Sequence, residues 1–505
     1  MDVADWEDPD PGELFNPKTD PDWDEVLKRY VPSTNDGPLL RCVQVARANG
    51  AASVVVETRY LGGDYRSEYT TFYSRIFASV PDSAHRIHFF DQELQPTQLG
   101  TVPPEVNYLG YVVVRPSFYG LVAKAVLKPP PEYAAGVRVL VTDSVNLFGQ
   151  RLEVAGAPFS QQDTRLGVCA HSSAWMCHEA AALRGFVHPR KTADFAKGAD
   201  ASLYPGRALP SDGLTAEQLS DLFRKFGLPP MFYFVGNLPH PGLPWQPPPP
   251  QEDADKHPGQ WDTRIVPTVC RHLNGGFPVL ICTLDHAFIL VGWYRDPTTN
   301  KVVLIRNDDQ QGPYLAVANP LDDQLTNPAT GAQRDYGPWR VFHVPVPDKA
   351  WLLPESAERR GGQYLLSASV NYAPQLAARG IQVESLQDLV DDDRLSIRTF
   401  ITASTGYKDK LTSRGYDAAS AAAYRLARMP KFVVVVEAID RALRDAEKPS
   451  VVAEVLFDAT SSDIQPDIIA ARVHGLLTVQ RTDRSKHGPL LTSAAPVRTG
   501  GVGAP

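Results

Sequence analysis

Three strongly apolar runs, "FPVLICTL", "HAFILVGWY" and "KVVLIRN", follow one another between residues 277 and 307 with only short connections between them. Their content of Val, Ile, Phe and Tyr is typical of β-strands. Because strands joined by short connections pair antiparallel, the turn "RDPTTN" predicts a hairpin between the second and third runs. The end of the third run, Asn307, then returns to the end of the sheet at which His286 opens the second run.

The chain has 505 residues, more than one hydrophobic core usually serves, so we expect several domains. Changes in composition divide it into an acidic flexible arm (1–36), an N-terminal α+β domain (37–155), a central domain (156–348), a C-terminal α+β domain (349–490) and a flexible tail (491–505). Within the central domain, the Pro-rich stretch 236–260 lacks the backbone donors that a helix or a central strand requires. We expect a surface loop there, bordering the functional site.

Charge and composition exclude several classes of partner. The net charge of −8 gives no electrostatic reason to expect nucleic acid or an anionic membrane surface. No apolar run approaches the roughly 18–20 residues that span a bilayer, and the acidic start "MDVADWEDPD" is unlike a signal peptide. The five cysteines, odd in number and widely spread, do not indicate a disulfide framework. We therefore expect a cytoplasmic protein that binds neither nucleic acid nor membrane.

The stretch "LGVCAHSSAWMC", residues 166–177, places Cys169 at the start of a predicted helix that Gly185 ends. The free N–H groups and the positive dipole end of a helix N-terminus favour a thiolate over a thiol. Cys169 is thus a candidate nucleophile. The alternative is that it is a small apolar residue buried at a helix start.

A thiolate nucleophile needs a base and a residue that orients the base. His286 opens a strand, where its ring faces a cleft rather than the core. The hairpin brings Asn307 to the same end, and Asp308 and Asp309 follow it. Taken alone, each is an ordinary surface or turn residue; the order of helix-start cysteine, strand-start histidine and strand-end asparagine is more specific.

Zinc binding is the competing interpretation of the opening stretch, since Cys169, His171, Cys177 and His178 are all zinc-ligand types. Helical geometry argues against it. His171 and His178 share a face but lie about 10 Å apart along the axis, and Cys169 lies on another side. The chain contains no CxxC or HExxH motif. We expect no metal and no cofactor.

This ordered set of residues resembles the papain-like cysteine peptidases, in which a central helix carries the nucleophile and a β-sheet carries His and Asn or Asp. "CAHSSAWM", "GLTAEQLSDLFRKFGL" and "GGFPVLICTLDHAF" are similar to segments of the bacterial double-glycine (leader) peptidase branch. The resemblance covers about residues 158–318. It implies an α+β papain-like catalytic domain, with the cysteine helix packed on an antiparallel sheet, flanked by the N- and C-terminal α+β domains.

By this resemblance, Cys169 attacks a carbonyl carbon, His286 takes and returns a proton, and Asn307 holds the imidazole in the required tautomer. The sequence departs from the family at two of these places. The glycine that usually follows the nucleophile is Ala170, and "NSWG" is replaced by "NDDQ". Asp308 is therefore an alternative orienting residue.

The family also uses a glutamine ahead of the nucleophile to bind the developing oxyanion. "FSQQDTRLGVC" offers Gln161 and Gln162. The expected spacing of six falls on Asp163, so Gln162, seven residues before Cys169, is the candidate after a shift of one residue.

These features predict a bacterial-type thiol hydrolase that cleaves a peptide or isopeptide bond of a protein or peptide substrate through a cysteine acyl-enzyme. The same triad also serves deamidases and transglutaminases, because only the acceptor of the acyl group differs. A different alternative is a papain-fold module that binds a protein without catalysis. The reactivity of the Cys169 thiol distinguishes the catalytic interpretations from the binding one.

Overall fold

The structure is a computed structural model. It describes residues 12–31, 36–77, 79–116, 120–163, 168–198, 213–235, 238, 262–317, 323–327, 329–331, 333–461, 466–480, 490–493 and 495–500. The chain divides into two compact units, Met1–Gly236 with Phe277–Val346, and Asn237–Gly276 with Pro347–Pro505. The predicted Pro-rich loop, 236–260, lies outside the described residues apart from Leu238.

One antiparallel sheet of the first unit comprises β1 (Glu13–Phe15), β2 (Ser53–Tyr60), β3 (Ala84–Phe90), β4 (Tyr108–Val114), β5 (Val122–Leu127), β6 (Val141–Leu147) and β7 (Gln150–Phe159). The strands lie in the order β1-β2-β3-β4-β5-β7-β6. In β6 buried and exposed residues alternate, as they do in a strand with one solvated face. In β4 almost every residue is buried, since both faces of that strand are covered.

The other large sheet of this unit comprises β8 (Pro230–Phe234), β9 (Val279–Cys282), β10 (Ala287–Arg295), β11 (Val302–Asp308), β12 (Gly312–Val317) and β15 (Val341–Pro345). A short pair, β13 (Gln324–Thr326) and β14 (Gln333–Asp335), lies between β12 and β15 in the chain. The strand order is β12-β11-β10-β9-β15-β8. The three apolar runs are therefore three adjacent antiparallel strands, β9 to β11, and the predicted hairpin is confirmed.

The α-helices of the first unit are α1 (Asp20–Tyr30), α2 (Gly37–Ala48), α3 (Gly63–Thr71), α4 (Pro131–Ala134), α5 (Cys169–Leu183), α6 (Thr192–Gly198) and α7 (Ala216–Lys225).

The predicted flexible arm, residues 1–36, differs from the structure, because its described part forms β1 and α1. Trp23 and Leu27 of α1 are buried, so apolar anchors outweigh the acidic composition of this segment. The predicted boundary at residue 156 falls inside β7, and residues on both sides of it belong to one unit.

Helix α7 begins with a capping box formed by Thr215 and Gln218. The Gln218 backbone N–H donates to Thr215 Oγ1 at 3.2 Å, and the Thr215 N–H donates to Gln218 Oε1 at 2.9 Å. Thr215→Ala removes one of these two bonds and is expected to destabilise α7 by about 1 kcal/mol. Hydrogen–deuterium exchange of the α7 amides measures this loss, and Thr215→Ser, which keeps the hydroxyl, is the matched control. Equal protection in Thr215→Ala and the wild type would contradict the assignment.

The second unit contains α8 (Asp262–Asn274), α9 (Pro354–Ala377), α10 (Leu386–Asp391), α11 (Ser404–Asp409), α12 (Ala418–Leu426) and α13 (Arg441–Asp445). Its antiparallel sheet is formed, in spatial order, by β16 (Leu395–Ala403), β17 (Phe432–Asp440), β18 (Val451–Asp458), β19 (Ile468–Val473), β20 (Leu476–Val479) and β21 (Leu490–Leu491). The stretch "AAYRLARMPKFVVVVEAID" forms most of α12 and then β17, and "SVVAEVLFDAT" contains β18.

The described part of the predicted flexible tail is held to this second unit. Val497 forms a β-bridge with Val451, and the Gly500 N–H donates to Glu437 Oε1 at 2.9 Å. The expectation of a free tail therefore differs from the structure at residues 497–500.

The protein is α+β with several antiparallel sheets. No helix among the described residues combines the length and apolar composition required to cross a membrane.

Candidate active site

Helix α5 begins at Cys169, as the sequence predicted. Two side-chain hydrogen bonds, one before Cys169 and one after it, hold the start of this helix in place. The Val168 N–H donates to Nδ1 of His171 at 3.3 Å, which caps the helix start. One turn further on, Ser173 Oγ donates to the backbone oxygen of Ala287 at 3.1 Å. Because Ala287 begins β10 directly after His286, this bond holds the cysteine helix against the strand next to the histidine. Cys169 itself is partly exposed.

The imidazole of His286 is fully buried, and its two nitrogens have different neighbours. Nε2 lies 3.2 Å from Oδ1 of Asp308 and is hydrogen-bonded to it. Nδ1 forms no hydrogen bond with any residue that the structure describes. The Cys169 side chain lies close enough to the ring to interact with it.

The charges around His286 favour its imidazolium form. Burial alone lowers the pKa of His286, but the charge and hydrogen bond of Asp308, together with the contact from Cys169 and the charge of Asp309, raise that pKa to about 10. Burial likewise raises the pKa of the Asp308 carboxyl, yet His286 and the Arg306 guanidinium hold it well below its usual range. Asp308 and His286 thus form a buried pair of opposite charges next to Cys169.

Asn307, predicted to orient the histidine, does not contact it. Its Nδ2 donates to the Pro158 backbone oxygen at 3.0 Å, and its Oδ1 accepts from the Tyr314 N–H at 3.0 Å. The side chain is completely buried and fastens β11 to neighbouring backbone. The structure thus places Asp308, the alternative, beside His286 in place of Asn307.

The register of the β10–β11 hairpin explains this correction. Cross-strand partners share a face of the sheet, and successive residues along a strand alternate faces. Near the turn, Gly292 pairs with Ile305. Continued without interruption, that register would set Asn307 opposite Leu290, on the face to which His286 belongs.

A bulge shifts the register between Leu290 and Gly292, so that Ile289 pairs with Asn307. One extra residue on β10 reverses the face of every later partner. Asp308, rather than Asn307, is therefore on the face of His286.

A segment before β6 holds this bulge. The backbone oxygen of Val291 accepts from the successive N–H groups of Arg138 and Val139, both at 2.9 Å, and Gly292 forms a β-bridge with Val137. A Cβ on Gly292 would lie only 2.4 Å from a backbone oxygen of the same segment. Only glycine permits this approach, so the bulge is built into the fold.

The two candidate glutamines differ in how the structure uses them. Gln161 is bound at both ends of its amide, because Oε1 accepts from the Val122 N–H at 3.0 Å and Nε2 donates to Asp36 at 2.9 Å. Asp163, at the expected spacing, accepts from the Tyr73 hydroxyl at 2.7 Å. Gln162 is partly exposed and makes no side-chain hydrogen bond within the described part of the chain, so it stays the candidate oxyanion donor.

Tyr336, Arg306 and Asp309 complete the surroundings of His286. The Tyr336 ring stacks on the imidazole with centroids 5.1 Å apart and covers one face of it. The Arg306 guanidinium lies over Tyr336 and donates to Asp323 at 2.8 Å. Asp309 lies 3.6 Å from Nε2. The motif "NDDQ" drew attention to Asp309 in the sequence, whereas no motif near Tyr336 indicates that it lies beside His286.

The residues of the alternative zinc interpretation have other roles. His171 caps α5, and His178 packs edge-on between Phe195 and Phe226. Burial lowers the pKa of both histidines to about 4. Within the described ranges, the group of side chains close enough to share a metal ion is a different one, His286 with Asp308 and Asp309, whose ligand atoms lie within 4.8 Å of one another.

No protein-family model matches the sequence, and no curated protein matches it either.

Proposed function

We propose that the protein is a thiol hydrolase of the papain-like type, with Cys169 as nucleophile, His286 as acid and base, and Asp308 as the orienting carboxylate. One observation carries this proposal: a cysteine in the first turn of α5 lies beside a buried histidine whose far nitrogen binds a buried carboxylate. These are the nucleophile, base and orienting group that covalent catalysis requires.

In the first half of the reaction, the Cys169 thiolate attacks the carbonyl carbon of a peptide or isopeptide bond. The His286 imidazolium gives its Nδ1 proton to the leaving amine, and the acyl group remains on sulfur as a thioester. The carboxylate of Asp308 holds Nε2–H throughout, which fixes the tautomer and stabilises the cation.

In the second half, neutral His286 takes a proton from water, whose oxygen attacks the thioester carbon. The tetrahedral intermediate collapses, the carboxylic acid leaves, and the thiolate–imidazolium pair is restored. In this proposal the free N–H groups at the start of α5 bind the carbonyl oxygen as negative charge develops on it. Gln162 is the side chain proposed to assist them.

An activated ester tests this cycle without knowledge of the natural substrate. On mixing the full chain with p-nitrophenyl acetate, we expect a burst of nitrophenolate, an acetyl group mapped to Cys169 by mass spectrometry, and its turnover by water. Cys169→Ala should abolish the burst. Equal acetylation of all five cysteines, or none at Cys169, would contradict a catalytic thiol and favour the binding module.

Three of the four other cysteines are poor nucleophiles in this assay. Burial raises the pKa of the Cys42 and Cys177 thiols, and burial together with the nearby Cys169 raises that of Cys282 to about 12.

Adding an amine such as glycylglycine to the same assay distinguishes water from an amine as the acceptor of the acyl group. A hydrolase releases the same amount of acetate with or without the amine, whereas a transglutaminase-type enzyme transfers the acetyl group to the amine and forms an amide.

A further inference from the structure

Behind His286 the fold buries more negative than positive charge. Asp308 and Asp309 are fully buried, and Asp323 is 2 % exposed. Arg306 is the fully buried cation among them, and Asp323 already binds it through Nη1. If both Asp308 and Asp309 are ionised while His286 is neutral, the cluster carries a charge of about −2 in a medium of low dielectric constant, which is unfavourable unless a cation compensates it.

Asp309 has one ion-pair partner, His286, and no hydrogen-bond partner among the described side chains. Both of its carboxylate oxygens are buried, and neither accepts a hydrogen bond from any described residue. The Oδ1 atom is directed toward His286 at 3.6 Å from Nε2. The main positive charges that act on the carboxylate of Asp309 are His286 and the partly exposed Arg334. A fully buried carboxylate without hydrogen bonds points to a missing ligand.

The ligand atoms of the three groups all lie within 4.8 Å of one another, and the two distances from His286 are close to those around one metal ion. Around a tetrahedral zinc with bonds of about 2.0–2.1 Å, ligand atoms lie roughly 3.3–3.4 Å from one another. Nε2 of His286 lies 3.2 Å from Oδ1 of Asp308 and 3.6 Å from Oδ1 of Asp309. One imidazole and two carboxylates also form a donor set that zinc accepts, with a fourth position left for water.

We propose that His286, Asp308 and Asp309 form a zinc site, and that zinc bound there switches off the Cys169 thiol. The inhibitory half of this inference rests on the proposed function, whereas binding does not. When zinc occupies Nε2, the neutral imidazole keeps its single proton on Nδ1. It then has no lone pair to take the thiol proton and no second proton for a leaving amine. Because the metal carries about two positive charges, it replaces the imidazolium as partner of the two carboxylates.

Zinc titration of the metal-free full chain by isothermal calorimetry tests the site. We expect one high-affinity site in the wild type and in Cys169→Ala, because the thiol is not a ligand. Asp309→Asn should weaken binding by more than the roughly 10–100-fold that loss of a supporting outer residue costs. Asp285→Asn is the matched control: it makes the same change at an exposed carboxylate next to His286 and should bind as the wild type does.

Unchanged affinity in Asp309→Asn would overturn the site, and so would lost affinity in Cys169→Ala, which would place zinc on the thiol. Circular dichroism checks folding; Asp309→Asn removes a buried unpaired charge and is expected to fold. Zinc should also stop acetylation of Cys169 in the wild type but not in Asp309→Asn. Acetylation that is insensitive to bound zinc overturns the inhibition alone. Zinc binding that depends on Asp309, in a chain whose Cys169 is never acetylated, supports the site and contradicts the hydrolase.

Discussion

Replacing Asp308 with asparagine is expected to lower the rate of Cys169 acylation by about 10²- to 10⁴-fold. The carboxylate is fully buried and bound to Nε2 of His286, so its charge is the main support of the imidazolium. Asparagine keeps the size of the side chain but removes that charge. It also permits its amide nitrogen to face Nε2, which favours the wrong tautomer. Burst kinetics with p-nitrophenyl acetate measure the loss.

Two controls make this prediction specific to position 308. Asp285→Asn makes the same chemical change at an exposed residue and should leave the burst unchanged. Asn307→Ser removes an amide that the structure assigns to the Pro158 and Tyr314 backbone, so it should reduce stability more than the acylation rate. If Asn307→Ser abolishes the burst while Asp308→Asn stays within about twofold of wild type, the assignment of the third residue is wrong.

Replacing Arg115 with methionine is expected to destabilise the first unit by about 3–5 kcal/mol. Arg115 binds Glu68 through two hydrogen bonds of 2.7 and 2.8 Å, and both side chains are only 3 % exposed. The same guanidinium donates to the backbone oxygens of Gly120, Val122 and Gln161. Methionine fills a similar volume but leaves a buried carboxylate and three carbonyl oxygens without this donor.

Hydrogen–deuterium exchange of peptides from β4 and β5 measures this loss within the first unit. Arg151→Met is the matched control, because Arg151 forms an exposed pair with Glu153 and such pairs contribute about 0–1 kcal/mol. The double change Arg115→Met with Glu68→Leu removes both buried charges and should recover part of the stability. Equal protection in Arg115→Met and Arg151→Met would contradict the role of this ion pair.

The local features of the fold were predictable from the sequence because they depend on neighbouring residues. Runs of β-branched residues marked β9 to β11, and Thr215 with Gln218 marked the start of α7. The first turn of α5 at Cys169 and the return of β11 to the His286 end follow from the same local patterns.

The choice between Asn307 and Asp308 was not predictable, because it depends on a distant segment. Residues 137–139 hold the bulge at Val291, and this bulge alone decides which of the two faces His286. The carboxamide of Gln161 is likewise taken by Val122 and Asp36, which are 39 and 125 residues away. Site residues set by such long-range contacts leave no local pattern, and the same is true of Tyr336 above the imidazole.

The most direct test of the account is the rate at which iodoacetamide alkylates Cys169 in the native chain between about pH 5 and 9. At pH 5.5 an ordinary thiol, with a pKa of about 8.5, is thiolate in only about one molecule in a thousand. We predict that Cys169 is already alkylated rapidly there, and that His286→Ala slows it by roughly tenfold or more, after allowance for the weaker nucleophilicity of a stabilised thiolate. A rate that rises only near pH 8.5 in both proteins would contradict the thiolate–imidazolium pair, and with it the proposed function.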